Sequence, residues 1–224
     1  SHYFIQRSNI PASQDSTLYW SSVETILNDS TSSVALGHLR LASSGSNSMP
    51  NPHPWIFYKN GKSFSLIHNG TVSKSILYNA LTNNGNDLSW LESYSPQTFG
   101  GGDWKENGWN NVIDSELILL LVMKHYNLNG GDLVSGLQSS LSKIINAGVS
   151  ASQLNIIFSD GELLDAFSGS ERLFFTEESL SSVFLSLLPN VVLVLMLLLS
   201  VLFNIELINK PEIKEININL PIVT

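Results

Sequence analysis

Ser63-Phe64-Ser65-Leu66-Ile67-His68-Asn69-Gly70, followed after Thr71-Val72 by Ser73-Lys74-Ser75-Ile76-Leu77-Tyr78-Asn79-Ala80-Leu81, is the stretch on which the fold turns. Residues 63–68 alternate, with Phe64 and Leu66 on one face and Ser65 and Ile67 on the other, which predicts a strand. Asn69-Gly70 is a turn pair and ends it. From Ser73, a candidate N-cap, the period changes. Ile76, Leu77, Ala80 and Leu81 form one helical stripe, which predicts a helix over 73–81.

The same signals continue on both sides. Residues 114–126 read as a strongly apolar helix with Asp114 near its start. Residues 132–147 read as a second helix, capped by Asp132 and stopped at Gly148. Residues 154–159 and 163–167 flank Asp160-Gly161 and predict a β-hairpin. On the N-terminal side, 3–5 and 34–41 read as short strands and 21–27 as a helical turn, while 43–54 is a loop of Ser, Asn and Pro. Residues 82–111 form a long insertion rich in Asn, Gly and Ser, with Trp90, Trp104 and Trp109 scattered through it. Loops of that length are usually functional or mobile. Strands and helices in this order give an α+β class.

The C-terminal part changes character. Residues 183–203 carry no charge, which fits a membrane-spanning segment, but Pro189-Asn190 interrupts them. Two buried strands joined by a Pro-Asn turn are the favoured expectation, and membrane contact through 183–203 is the alternative. The Ile-Asn alternation over 216–220 suits a terminal strand.

Composition bounds function. The 224 residues suit one domain, or a domain with an appendage. An apolar share of 43% supplies a core, and 11 basic against 19 acidic side chains give −8. That balance excludes a general nucleic-acid binder, which needs a basic face. With no cysteine, disulfide scaffolds, thiolate metal sites and cysteine nucleophiles within these residues are excluded. The chain starts at Ser1 without an initiator Met or a signal segment, the expectation being a processed chain or a fragment.

The residues able to do chemistry fall into four groups: Gly37-His38-Leu39-Arg40, Asn51-Pro52-His53-Pro54, His68-Asn69-Gly70 and Asp114-Ser115-Glu116. Each sits at a strand end, in a loop or at a helix start, where a frame presents functional groups. Arg40 can fork onto a carboxylate or form a surface ion pair. Asn69 offers an amide donor and Gly70 a backbone N–H, two groups that make either an oxyanion hole or a plain turn. Asp114 can hold an ammonium or cap a helix. A metal site built from His38, His53, His68 and Asp114 is disfavoured, because no H-x-H or H-E-x-x-H spacing is present.

Taken together, Gly37-His38-Leu39-Arg40-Leu41-Ala42-Ser43-Ser44-Gly45, Asn51-Pro52-His53-Pro54, His68-Asn69-Gly70 and Asp114-Ser115-Glu116 resemble the class II glutamine amidotransferases. These are N-terminal-nucleophile (Ntn) hydrolases, whose blocks read G-H-x-R-x-A-S/T-x-G, N-x-H-P, H-N-G and D-S/T-E in that order. The likeness covers residues 34–126 well and 154–175 loosely, and is nearest to the stand-alone amidotransferase-like subfamily. It implies a four-layer αββα sandwich of two stacked, mainly antiparallel sheets, with a domain over 1–175 and a divergent segment over 176–224. It implies cleavage of the glutamine side-chain amide to glutamate and ammonia, by attack of an N-terminal cysteine with the terminal amine as base. Arg40 would hold the glutamine α-carboxylate with help from Ser43, and Asp114 the α-ammonium. Asn69 and the Gly70 N–H would form the oxyanion hole. His53 would shape the pocket, and His38 and His68 would support it. No cofactor or metal is implied. Glutamine is the expected partner, alongside a homodimer, in the cytoplasm.

The chain departs from the pattern in lacking the cysteine, in its Ser1-His2 start and in carrying Ser44 where many relatives have His. The expectation is a domain that begins downstream of its nucleophile strand. A non-catalytic relative and a Ser1 nucleophile are the alternatives. Two sequons, Asn28-Asp29-Ser30 and Asn69-Gly70-Thr71, matter only in a secreted setting, and a glycan on Asn69 would block the oxyanion hole.

Overall fold

The computed structural model describes residues 5–8, 10–28, 36–38, 53–169, 172–178, 182–188, 192–196 and 213–215. The chain divides into two compact units. One comprises Ser1–Asn9 with Ala42–Ser170, and the other Ile10–Leu41 with Glu171–Thr224.

In the first unit a four-stranded antiparallel sheet runs in the order β1-β2-β3-β4, formed by Trp55–Lys59, Lys62–Asn69, Asn155–Ser159 and Leu164–Phe167. The class is α+β, as expected. The strand predicted over 63–68 is β2, and the predicted Asp160-Gly161 hairpin joins β3 to β4. At that turn the Asp160 carboxylate accepts the N–H groups of Glu162 and Leu163 at 3.0 and 2.8 Å. β1 was not anticipated. It pairs with β2 from Lys59↔Lys62 to Trp55↔Leu66, across Asn60 and Gly61 at φ 52° and 77°. Two successive positive φ values are what a tight hairpin turn demands.

One face of the sheet is apolar because the side chains alternate. Trp55 and Phe57 of β1, Phe64 and Leu66 of β2, and Ile156 and Phe158 of β3 all point to it and are buried. Phe64 stacks on Phe158 at 6.1 Å and meets Tyr126 edge-on at 5.0 Å. The helices α2 (Lys74–Thr82), α4 (Asp114–Leu128) and α5 (Leu133–Asn146) complete this core. α4 is apolar nearly all round, and Leu117 to Met123 are all buried between the sheet on one side and α2 and α5 on the other. The Asp132 carboxylate caps α5 by accepting Ser135 N–H at 2.7 Å. Ser73 stands at the N-cap position of α2 but makes no capping bond, since its hydroxyl pairs with that of Ser75.

On the opposite face burial is confined to the centre of the sheet, and Tyr58 of β1 is 60% exposed. Ile67 and its cross-strand partner Ile157 are 2% and 1% exposed, and neither belongs to the helix-side core.

The insertion over 82–111 is built differently from a free loop. It contains α3 (Ser89–Ser93) and a 3-10 turn at Asn107–Asn111, and its tryptophans anchor it. Trp90 donates its indole N–H to Leu120 O at 2.9 Å and stacks with Phe57 at 6.3 Å. Trp104 is buried, and Trp109 meets Tyr78 edge-on at 5.8 Å. Each ring pair contributes about 0.5–1.5 kcal/mol beyond its buried area, which is why an Asn- and Gly-rich segment holds one shape.

In the second unit α1 (Ser21–Asn28) matches the helical turn expected over 21–27. Its sheet runs β7-β6-β5-β8, from Val192–Met196, Ser182–Leu188, Arg172–Glu178 and Ile213–Glu215. β6 and β7 are antiparallel, with Leu187 opposite Val192, so the described part of 183–203 is strand. Among the described residues no helix is long and apolar enough to cross a membrane. The strand expected over 34–41 falls on 36–38, which has no regular structure, and otherwise lies outside the described residues. Residues 216–220, and residues 3 and 4 of the short strand expected at 3–5, lie outside them too, and Ile5 itself is not in a strand.

Candidate functional site

β2 ends at His68-Asn69, and the chain then turns at Gly70 toward α2. Alternation sends His68 to the helix side and Asn69 to the opposite face. Neither the Asn69 side-chain amide nor the Gly70 N–H has a hydrogen-bond partner among the described residues. The surroundings hold them in place. Asn155, level with Asn69 on β3, donates its side-chain amide to Asn69 O and Ser152 O, both at 3.2 Å, and accepts Gly169 N–H at 3.1 Å.

Gly70 has φ +146°, and a Cβ there would overlap the Gln153 carbonyl oxygen. The glycine is therefore required by close approach of backbone to backbone. Gln153 belongs to a 3-10 turn, Ala151–Gln153, that leads into β3. Its side-chain carbonyl also accepts Thr71 N–H at 2.9 Å, so one residue grips the turn from two sides.

Asp114 stands in the first turn of α4 and is 7% exposed. One carboxylate oxygen accepts Val72 N–H at 2.9 Å and the other accepts Ser115 N–H at 3.0 Å. Val72 is two residues past Gly70, so the structure brings the Asn69-Gly70 turn and Asp114 into one neighbourhood. Each carboxylate oxygen has a further lone pair for a cation.

Lys74 donates to Trp109 O at 2.6 Å and Val112 O at 3.0 Å, with its ammonium 5.0 Å from the Trp109 ring centre. Partial burial lowers its pKa, against the opposing pull of Asp114. It clips the end of the insertion beside Asp114. Glu116, two residues further along α4, is 5% exposed. One of its oxygens accepts Gln97 N–H at 2.7 Å, and the other is buried without a partner. Burial pushes its pKa up to about 8, so it is a neutral acid at pH 7.

Of the other expected residues, Arg40 and Ser43 lie outside the described residues. His53 is half-buried next to β1, and its peptide bond to Pro54 is cis. His38 is half-buried in the second unit. Among the described residues no three His, Asp or Glu side chains form a group able to hold a metal.

Sequence reasoning missed Gln153, Lys74 and the insertion's grip on Glu116. Gln153 acts through its backbone carbonyl and a contact 82 residues away, which no local pattern reports. Lys74 had a faint signal, being a lone cation at the first position of a helix, where positive charge is disfavoured without a partner. Compared with known proteins, the chain matches no family model, no curated protein and no solved structure.

Proposed function

We propose that this chain carries the glutamine pocket of a class II glutamine amidotransferase, within an Ntn-type sandwich. The observation that carries the reading is that the Asn69 amide and the Gly70 N–H, at the end of β2, have no hydrogen-bond partner among the described residues, while Asp114 is bonded to Val72, two residues past Gly70. Burial of Ile67 and Ile157 on the face away from the helices supports the sandwich, since a single-layer backing would leave them in water.

In this reading Asp114 takes the α-ammonium of glutamine, and Arg40 with Ser43 takes the α-carboxylate. Asn69 and Gly70 donate to the side-chain carbonyl oxygen. In the family's reaction a cysteine thiolate adds to that carbonyl carbon, and the oxyanion collapses with loss of ammonia. Water then releases glutamate from the thioester. These 224 residues supply the binding groups and the oxyanion donors but no thiol. A second reading is a relative that binds glutamine without turning it over.

Calorimetry tests the shared part. The chain should bind glutamine, and Asp114→Asn and Arg40→Ala should each remove binding worth on the order of 2–4 kcal/mol, the scale of a desolvated charge pair. Asn69→Ala should change affinity little, because an oxyanion hole acts on the transition state. Ammonia release by the chain as it stands would overturn the binding-only reading. A folded protein that ignores glutamine would overturn both.

A further inference from the structure

His68 lies inside the core, 4% exposed, with each ring nitrogen engaged. Nε2 is 2.8 Å from Gln153 O and Nδ1 is 3.0 Å from Ser115 Oγ. A backbone carbonyl can only accept, so Nε2 carries the hydrogen. In a neutral ring Nδ1 is then the acceptor, and the Ser115 hydroxyl donates to it. Burial lowers the pKa of the ring, against the opposing effects of Asp114 and the Gln153 bond, which agrees with a neutral imidazole.

The chain neighbours of this bridge are the groups of the pocket. His68 directly precedes Asn69-Gly70, Ser115 directly follows Asp114, and Gln153 touches both Gly70 and Thr71. One ring thus ties the oxyanion turn, the first turn of α4 and the 151–153 turn together. It also occupies the core position of β2 where Phe64 and Leu66 set an apolar pattern. A polar ring there needs a reason beyond packing, since a leucine would fill the site without two obligatory partners.

We propose that His68 is a positioning residue, whose Ser115–His68–Gln153 bridge sets the Asn69-Gly70 donors at a fixed distance from the Asp114 carboxylate. This rests on the glutamine-pocket reading. The bridge aims the donors at a side-chain amide while Asp114 holds the ammonium of the same molecule. Glutamine is then selected by the separation of its two polar ends.

Amide NMR on the whole chain reads this directly. At saturating glutamine the Gly70 amide resonance should move in the wild type. In Ser115→Ala, which leaves Asn69, Gly70 and Asp114 in place, bound glutamine should no longer move it. Ser115→Thr, which keeps the hydroxyl, should restore the shift. A merely structural role would lower the melting temperature of Ser115→Ala yet leave the Gly70 response intact, and that result overturns the proposal while sparing the pocket. A wild type that does not bind glutamine overturns the pocket and this inference with it. Should Ser115→Ala fail to fold, long-range 1H–15N spectra of wild-type His68 still decide. A hydrogen on Nε2 at neutral pH supports the bridge, and one on Nδ1 refutes it.

Discussion

Replacing Gly70 by alanine tests the turn without any ligand. At φ +146° a Cβ is strained, at about 1–3 kcal/mol. The added carbon would also overlap the carbonyl oxygen of Gln153 and lie 2.6 and 3.0 Å from its C and Cα, all backbone atoms that cannot swing aside. Forced overpacking of that kind costs a further 1–3 kcal/mol, roughly. Displacing Gln153 also stretches its bond from His68, worth about 1 kcal/mol. The sum is on the order of 5 kcal/mol, or roughly 10–20 °C in melting temperature for a domain of this size. Gly61 is the control. It has φ +77° with nothing within 4 Å of an added methyl, so Gly61→Ala should cost only the conformational part, about 1–2 kcal/mol. Thermal unfolding followed by circular dichroism compares the two. Equal losses would mean that Gln153 does not press on the turn, and the account of why position 70 is glycine would fail.

Two further outcomes follow from the buried polar groups. Glu116 keeps a proton in the folded protein that the unfolded chain gives up between its ordinary pKa of 4.5 and about 8, so stability is complete below that window and falls as pH rises through it. Glu116→Gln, which can still accept from Gln97, should remove this slope in melts at pH 6 and pH 9, and a slope unchanged by the substitution would rule the assignment out. Lys74→Met leaves the Val112 carbonyl without its ammonium donor and the Trp109 carbonyl with Val112 N–H alone, and should cost about 1.5–3 kcal/mol. Hydrogen exchange should quicken over residues 107–112 and stay unchanged in α5, whereas uniform quickening would count against a local clip.

What could be read from sequence was what local chemistry encodes. α4 and α5 announce themselves by apolar runs and the Asp132 cap, and the β3–β4 hairpin by Asp160-Gly161. β1 carried a comparable signal in Asn60-Gly61, but it directly follows the loop read over 43–54, and residues 55–59 have no element assigned from sequence. The insertion looked loose because its composition is polar, yet its indole rings outweigh the small residues around them once they find Phe57, Tyr78 and Leu120. The nearness of Asn69-Gly70 and Asp114 followed only from ordered motifs, and its physical cause, a carboxylate on Val72 N–H, is tertiary. Gln153 was illegible for the same reason.

The register of the first sheet has a consequence for synthesis of the chain. β1 and β2 close on each other within a few residues, but the other edge of β2 waits for β3, since Ile67 pairs with Ile157 some 90 residues later. At about 5–20 residues per second a ribosome needs roughly 5–18 s to supply that partner. The helices made in the meantime are local structures that form early, and they can cover Phe64 and Leu66. They cannot satisfy the open backbone edge of β2 or hide Ile67 on its far face. For those seconds the nascent chain presents a strand edge to its neighbours on the same polysome, and crowding of translating ribosomes becomes a competitor of native pairing.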